Sequence, residues 1–360
     1  MKALALYAGP WALRHLARHG LRPSDVQVIP GAAGGPKGLI LGPLDRFVFG
    51  DWLSRSHHPL HLIGASIGAW RMATACLPDP AKALAQLEHD YIHQDFQPPP
   101  GQNRPTAQQV SQAFAASLQH FYGGRIHDVL NHPRFHLHVV TSRGLSMLAQ
   151  EGRWTTPMGY AAAFLCNVVQ RRAMGAWLQR VVFSRCLGEV PAPWPFDARD
   201  YASLQLPLTD DNFMQALQAS CSIPFVLQAV HDIPGAPPGA YWDGGITDYH
   251  LHLDYRPVPG LVLYPHFQRH VVPGWLDKSL RWRHGSSPFL DRVLLLAPRP
   301  EWVAALPNGK LPDRTDFTRY AHDLPERVRV WQSAASAAQQ LADEFAQWLE
   351  HPDVSQVMPL

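Results

Sequence analysis

The sequence predicts an α/β fold of three layers, a central and mostly parallel sheet packed between helices. Two observations predict it. Short apolar runs that read as buried strands alternate with longer stretches at helical spacing, as in a sheet covered on both faces. Gly-rich turns also stand where two of those strands run into helices, at 31–38 and 64–68. The 360 residues suit one large α/β domain or two ordinary ones. Motif partners fall on both sides of the Pro-rich stretch Gln97–Pro105, so the expectation is one domain over 1–360.

In chain order, residues 10–20 read as a helix closed by Gly20 and followed by Pro23. Asp25–Pro30 is an apolar strand. It enters Gly31-Ala32-Ala33-Gly34-Gly35-Pro36-Lys37-Gly38, and 39–47 then has helical spacing. Strand, Gly-rich turn and helix make an anion cradle: free backbone N–H groups at a helix start, with Lys37 adding charge. Gly-Lys-Ser/Thr is absent, so this is not a Walker A loop. The run Leu60–Ile63 leads into Gly64-Ala65-Ser66-Ile67-Gly68, followed by a helix to Leu77 that Pro78-Asp79-Pro80 ends. Helices follow over 81–95 and 106–122, then a strand at Arg134–Thr141. Residues 157–179 read mostly as helix, and 180–184 as its close or a short strand.

A helix over 210–219 leads into Ala219-Ser220-Cys221-Ser222-Ile223-Pro224. A turn at Pro234–Gly239 precedes Ala240-Tyr241-Trp242-Asp243-Gly244-Gly245. Leu261–Tyr264 and Arg292–Leu296 are further buried strands, and Leu324–Glu350 has the spacing of a helix. No internal repeat is present.

Composition narrows the function. Apolar residues are 46% of the chain, enough for a core and too many for wholesale disorder. The formal net charge of +2 argues against nucleic acid as a partner. Charged residues are only 17%, while Trp (12) and Pro (34) are plentiful, which suits either a large aromatic core or a surface that meets lipid. Cys76, Cys166, Cys186 and Cys221 have neither CxxC spacing nor a paired framework and read as reduced thiols. Met1–Ala8 lacks the apolar core and cleavage site of a signal peptide, so the expected location is cytoplasmic, with peripheral membrane contact open. The uncharged run Thr155–Gln170 is too short and polar to span a bilayer. That run and the C-terminal helix are the candidate lipid-contact elements.

Gly64-x-Ser66-x-Gly68 is the pattern of a nucleophile elbow, a serine at a cramped strand-to-helix turn where flanking side chains do not fit. A serine ester hydrolase also needs a base and donors for the developing oxyanion. The Gly34-Gly35 turn supplies donors. Asp243, at a strand end before Gly244-Gly245, supplies a carboxylate base.

Taken together, Gly-Gly-Pro-Lys-Gly (34–38), Gly-Ala-Ser-Ile-Gly (64–68), Ala-Ser-Cys-Ser-Ile-Pro (219–224) and Asp-Gly-Gly (243–245) resemble the patatin-like phospholipases in content and order. The resemblance runs from about 26 to 250, and 255–360 is an unmatched C-terminal extension of sheet and helices. It implies a patatin-like three-layer fold and a Ser-Asp dyad without cofactor or metal. Ser66 is then the nucleophile and Asp243 the general base. Gly34, Gly35, Lys37 and Gly38 form the oxyanion loop, and Gly64, Gly68, Pro224, Gly244 and Gly245 support the motifs. The implied substrate is a lipid ester; which lipid, whether the acyl group passes to water or another acceptor, and the oligomeric state are open. One departure stands at Ala33, where the family loop has its first glycine. A positive φ there would strain the loop.

Other readings compete. Twenty histidines allow a Ser-His site of the α/β-hydrolase or acyltransferase kind, with His250, His252, His266 or His270 as base. His57-His58…His61, His136-x-His138 and His250-x-His252 bring imidazoles together, but no HExxH or Cys/Glu set completes a metal site. Cys221 reads as a small buried residue. An inactive scaffold that binds lipid or a partner is the remaining alternative.

Overall fold

A computed structural model describes residues 1–96, 102 and 105–360 of the chain. Most of the predicted Gln97–Pro105 loop lies outside these residues. Twelve strands are described: β1 (Leu4–Ala8), β2 (Val26–Gly31), β3 (Leu60–Ala65), β4 (Phe135–Gly144), β5 (Leu178–Leu187), β6 (Val190–Pro191), β7 (Ser203–Leu208), β8 (Val230–His231), β9 (Ala240–Asp243), β10 (Leu261–Pro265), β11 (Val293–Pro298) and β12 (Val357–Pro359). They form one sheet ordered β12-β1-β11-β10-β2-β3-β4-β5-β6, with β7 on β5 and the β8–β9 pair on β4. The central run β11-β10-β2-β3-β4 is parallel throughout. Helices flank it in a three-layer α/β/α arrangement. β10 and β11 are buried along their whole length, as expected of strands covered on both faces.

The register of β4 positions the site. Its first half pairs in parallel with β3, ending at Ala65 opposite Val140. Its second half pairs antiparallel with β9, where Asp243 lies opposite Thr141. β5 takes the other edge of β4. The C-terminal ends of β3 and β9 therefore meet head to head along one edge of β4, one residue apart in register.

Several elements differ from expectation. The segment after the Gly-rich turn is a 3-10 helix over Gly35–Leu41 followed by an α-helix over Gly42–Gly50. Pro43 lacks the N–H to continue a ladder back to Leu39, so the α-helix begins there. The helix expected over 157–179 ends at Val169, and Leu178–Leu187 is a ten-residue strand. The C-terminal segment is two helices, Leu324–Ala337 and Gln339–Glu350. The break lets Trp331 stack against Tyr91 and meet Phe317 edge to face, while Phe345 meets Phe47 and Trp52. Leu341, Phe345 and Trp348 are thus core residues, which removes the C-terminal helix as a lipid-contact face. The helix Thr155–Val169 behaves otherwise: Met158, Leu165, Val168 and Val169 are exposed on it, with Trp154 just before it.

Candidate active site

Ser66 sits between β3 and the helix Ile67–Ala75 with φ 56° and ψ −132°, a conformation that L-residues seldom adopt. Close packing holds it there. A Cβ on Gly68 would stand 1.8 Å from the Gly31 carbonyl oxygen, and one on Gly64 would stand 2.4 Å from Ala69 Cα. Only glycine at both positions lets the elbow press against β2, the strand that feeds the oxyanion loop.

The Ser66 hydroxyl donates to Asp243 Oδ2 at 2.7 Å, and Gly245 N–H donates to Asp243 Oδ1 at 2.7 Å. Both side chains are buried, Ser66 at 3% and Asp243 at 5% exposure. Burial holds the Asp243 carboxyl above the ordinary carboxylate range; Arg314, the bonds from Ser66 and Gly245, and Lys278 pull the other way.

The Ala-Ser-Cys-Ser-Ile-Pro block braces both groups. The Ser220 hydroxyl accepts the Ser66 N–H at 3.0 Å and donates to Val140 O at 2.7 Å. Ser222 O accepts the Asp243 N–H at 2.9 Å, and Ser220 O accepts that of Gly244 at 3.1 Å. Pro224 is buried just beyond. Sequence reading passed over Ser220, because a serine in a helix carries no local signal of such a bridge.

In the loop, Ala33 does not have a positive φ; Gly35 does, at 57°. The backbone demand therefore falls on Gly35, and Ala33 packs normally while its N–H donates to Tyr249 O at 2.9 Å. A Cβ on Gly34 would stand 2.6 Å from the Phe267 ring. Gly35 opens the 3-10 helix, whose first N–H groups lack partners within it, and Ile67 N–H opens the helix after Ser66 in the same way. Gly38 is buried against Ile67, and Lys37 lies with its ammonium 5.4 Å from the Phe267 ring centroid. The loop and elbow thus come together around Ser66.

No histidine hydrogen-bonds Ser66 or Asp243 among the described residues. His250 Nδ1 accepts Val272 N–H at 2.9 Å, His252 Nε2 pairs with Ser287 Oγ at 3.1 Å, and His266 is occupied by Gln268. His61 and His138 share a 3.0 Å ring contact at the other end of β3 and β4, and burial pushes His61 down to about 4. No described group of three or more His, Cys, Asp or Glu is arranged to hold a metal. Burial raises the Cys221 thiol well above its usual range, with the Asp243 charge adding to it, so it is a poor thiolate.

Two further cations reach the site from the part of the chain beyond 255. Arg314 Nε lies 3.4 Å from where a Cβ on Gly35 would be, and Lys278 Nζ lies 4.1 Å over the Tyr249 ring. Neither stands in a motif, so neither was foreseen. No curated protein matches the chain. The patatin-like phospholipase family profile matches residues 33–250, which takes in the loop, the elbow, the Ser220 block and Asp243, and the chain belongs to that family.

Proposed function

We propose that this member of a lipid acyl hydrolase family is a serine esterase working through a Ser66–Asp243 dyad and an acyl-serine intermediate. The observation that carries the reading is the 2.7 Å hydrogen bond from a strained, buried serine to a buried carboxylate, with neither group bonded to a histidine among the described residues. Ser66 Oγ attacks the ester carbonyl as its proton passes to Asp243 Oδ2. The tetrahedral oxyanion takes N–H groups from Gly34, Gly35 and Ile67, with Lys37 and Gly38 shaping the loop. Collapse expels the alcohol, which takes the proton from Asp243 and leaves an acyl ester on Ser66. Asp243 then deprotonates a water that attacks the acyl carbon, and the fatty acid leaves as Ser66 regains its proton. Burial, by raising the Asp243 pKa, makes the carboxylate a better base than it is in water.

Hydrolysis of p-nitrophenyl esters and labelling by a fluorophosphonate test this. Ser66→Ala is expected to lose both, and Asp243→Asn to lose hydrolysis by about 10²–10⁴-fold. Full activity in Asp243→Asn would sink the dyad.

We further propose that the protein meets lipid from the surface of a membrane in the cytoplasm. No described helix is long and apolar enough to cross a bilayer. Support comes from the exposed face of Trp154, Met158, Leu165 and Val169, with the exposed Phe225 against Tyr160 and the exposed Trp282 inside the 3-10 turn Arg281–Arg283. Leu165→Asp with Val169→Asp is expected to abolish sedimentation with phosphatidylglycerol vesicles; undiminished sedimentation would remove this face from the account.

A further inference from the structure

Asp277 is fully buried, and its carboxylate receives donors from both elements that expose apolar side chains. Asn167, in the last turn of the helix Thr155–Val169, donates to Oδ1 at 2.8 Å. Asn167 is buried, whereas its neighbours Val168 and Val169 are exposed. Arg283, beside the exposed Trp282, donates to the same oxygen at 3.0 Å. It also grips the helix end, donating to Asn167 Oδ1 at 3.0 Å and to Val168 O at 3.3 Å. Arg171 takes the other carboxylate oxygen, Oδ2, at 3.1 Å.

From Arg171 the bonds continue inward. Its second terminal nitrogen donates to Thr247 O, in the short helix Gly245–Asp248 that follows Asp243. Thr247 Oγ1 and Ser142 Oγ share a 3.0 Å bond, and Ser142 Oγ donates to Asp243 O at 2.9 Å. Ser142 and Thr247 are fully buried. Buried ion pairs lose hydration about as much as they gain attraction, so they add little stability. What they fix is geometry: a planar guanidinium suits one arrangement, and a shift at any member leaves a buried donor or acceptor unsatisfied. A displacement of the helix end or of the Trp282 turn is therefore not absorbed at Asp277. It passes through Arg171 to the segment that carries Asp243.

We propose that Asp277 and Arg171 are positioning residues through which lipid contact at the exposed face sets the placement of Asp243 against Ser66. Lipid that holds Val169 and Trp282 in one arrangement favours the matching arrangement at the carboxylate. The assignment rests on the acyl-hydrolase and membrane-surface readings, and it makes the enzyme faster on a surface than in solution.

Turnover of soluble p-nitrophenyl butyrate is measured with and without vesicles of dialkyl ether phosphatidylglycerol, which offer a surface but no ester. Wild-type kcat is expected to rise at least about fivefold on vesicles. Leu165→Asp with Val169→Asp is expected to keep the solution rate and lose the rise. Asp277→Asn puts an N–H2 against a donor whichever way it turns, Asn167 and Arg283 on one side or Arg171 on the other. It is expected to sediment with vesicles as wild type does, yet lose the rise. Arg283→Gln changes a partly exposed side chain, loosens the outer arm with less risk to folding, and is expected to lose most of the rise. Vesicles that bind wild type without changing kcat, or a full rise in both variants, overturn the linkage. Failure of wild type to sediment removes the surface and the linkage with it. No turnover in either condition removes the hydrolase, and amide exchange over 244–248 then decides the linkage. Vesicles are expected to slow that exchange in wild type and not in Arg283→Gln; exchange that vesicles leave untouched overturns it.

Discussion

The stretch 33–250 and the stretch beyond 255 contribute to one site in different currencies. The first works through backbone: a positive φ at Ser66 and Gly35, glycines at 64 and 68 where a Cβ has no room, and a carboxylate fixed by the register of β4. The second supplies β10 and β11 to the sheet and the Lys278 and Arg314 side chains to the rim. Backbone devices are all-or-none, because a misplaced nucleophile does not react. Rim charges are graded, because each shifts an equilibrium by a modest amount. Damage to the first stretch should therefore abolish activity, and damage to the second should retune it.

The largest effect tests the first half directly. Asp243→Asn, expected to be nearly inactive, should be at least as heat-stable as wild type at neutral pH. The folded-state pKa of Asp243 lies above its ordinary value, so its contribution to stability is fully present below the unfolded pKa and is lost as pH rises through the folded one. At neutral pH the native state carries a buried charge that asparagine lifts, and the gap in melting temperature should close toward the ordinary carboxylate range. A variant less stable at pH 8 than at pH 4, relative to wild type, would contradict this.

Ser220→Ala comes next. It leaves Ser66 N–H and Val140 O without their shared partner in a buried place, which should cost about 1–3 kcal/mol in denaturant unfolding. The displaced elbow should lower ester hydrolysis by about 10- to 100-fold. An unchanged rate would mean that glycine packing alone holds the nucleophile.

These two residues also mark how far the sequence was legible. Ser66 and Asp243 stand beside glycines whose positions answer to local backbone demands, so short patterns reveal them. Ser220 acts through a register between β3, β4 and the helix Phe213–Cys221, which no spacing within a few residues encodes. Lys278 and Arg314 are distant from every motif and reach the site only because β10 and β11 lie beside β2 and carry the chain's last third back to the loop. The sheet's outer strands escaped notice for a related reason: β1 and β12 come from opposite ends of the chain and pair with each other, and only β1 reaches β11. The apolar helices show the limit of composition. Thr155–Val169 and Gln339–Glu350 both looked able to meet lipid, and only packing against Phe47 and Trp52 buries the second.

A smaller effect belongs to the rim. Activity should rise with pH as Asp243 loses its proton, along a limb set above the ordinary carboxylate range by burial. Arg314 favours the ionised form, as Lys278 does more weakly, while Tyr160, Cys221 and Tyr249 around them are raised by burial and stay neutral there. Arg314→Gln should move the limb to higher pH in kcat/KM for a neutral p-nitrophenyl ester, leaving the plateau within a few-fold. A limb that stays in place would mean that solvent screens the guanidinium from the carboxylate.

The smallest effect falls where the sequence departs from its family. If Ala33 were strained, Ala33→Gly would relax the loop and raise the rate. Its φ is not positive, however, its N–H is bound to Tyr249 O, and its methyl lies 2.6 Å from where a Cβ on Gly245 would stand. The methyl therefore fills the space that Gly245 leaves beside the carboxylate. Glycine at 33 should loosen both the chain and that contact, costing about 0.5–1 kcal/mol of stability with no gain in kcat. Gly245→Ala should be far worse, and adding Ala33→Gly should recover only part of the loss, because Asp243 Oδ1 would still stand 2.9 Å from the new methyl. A faster Ala33→Gly enzyme would return the strain to position 33 and make the departure a cost to activity.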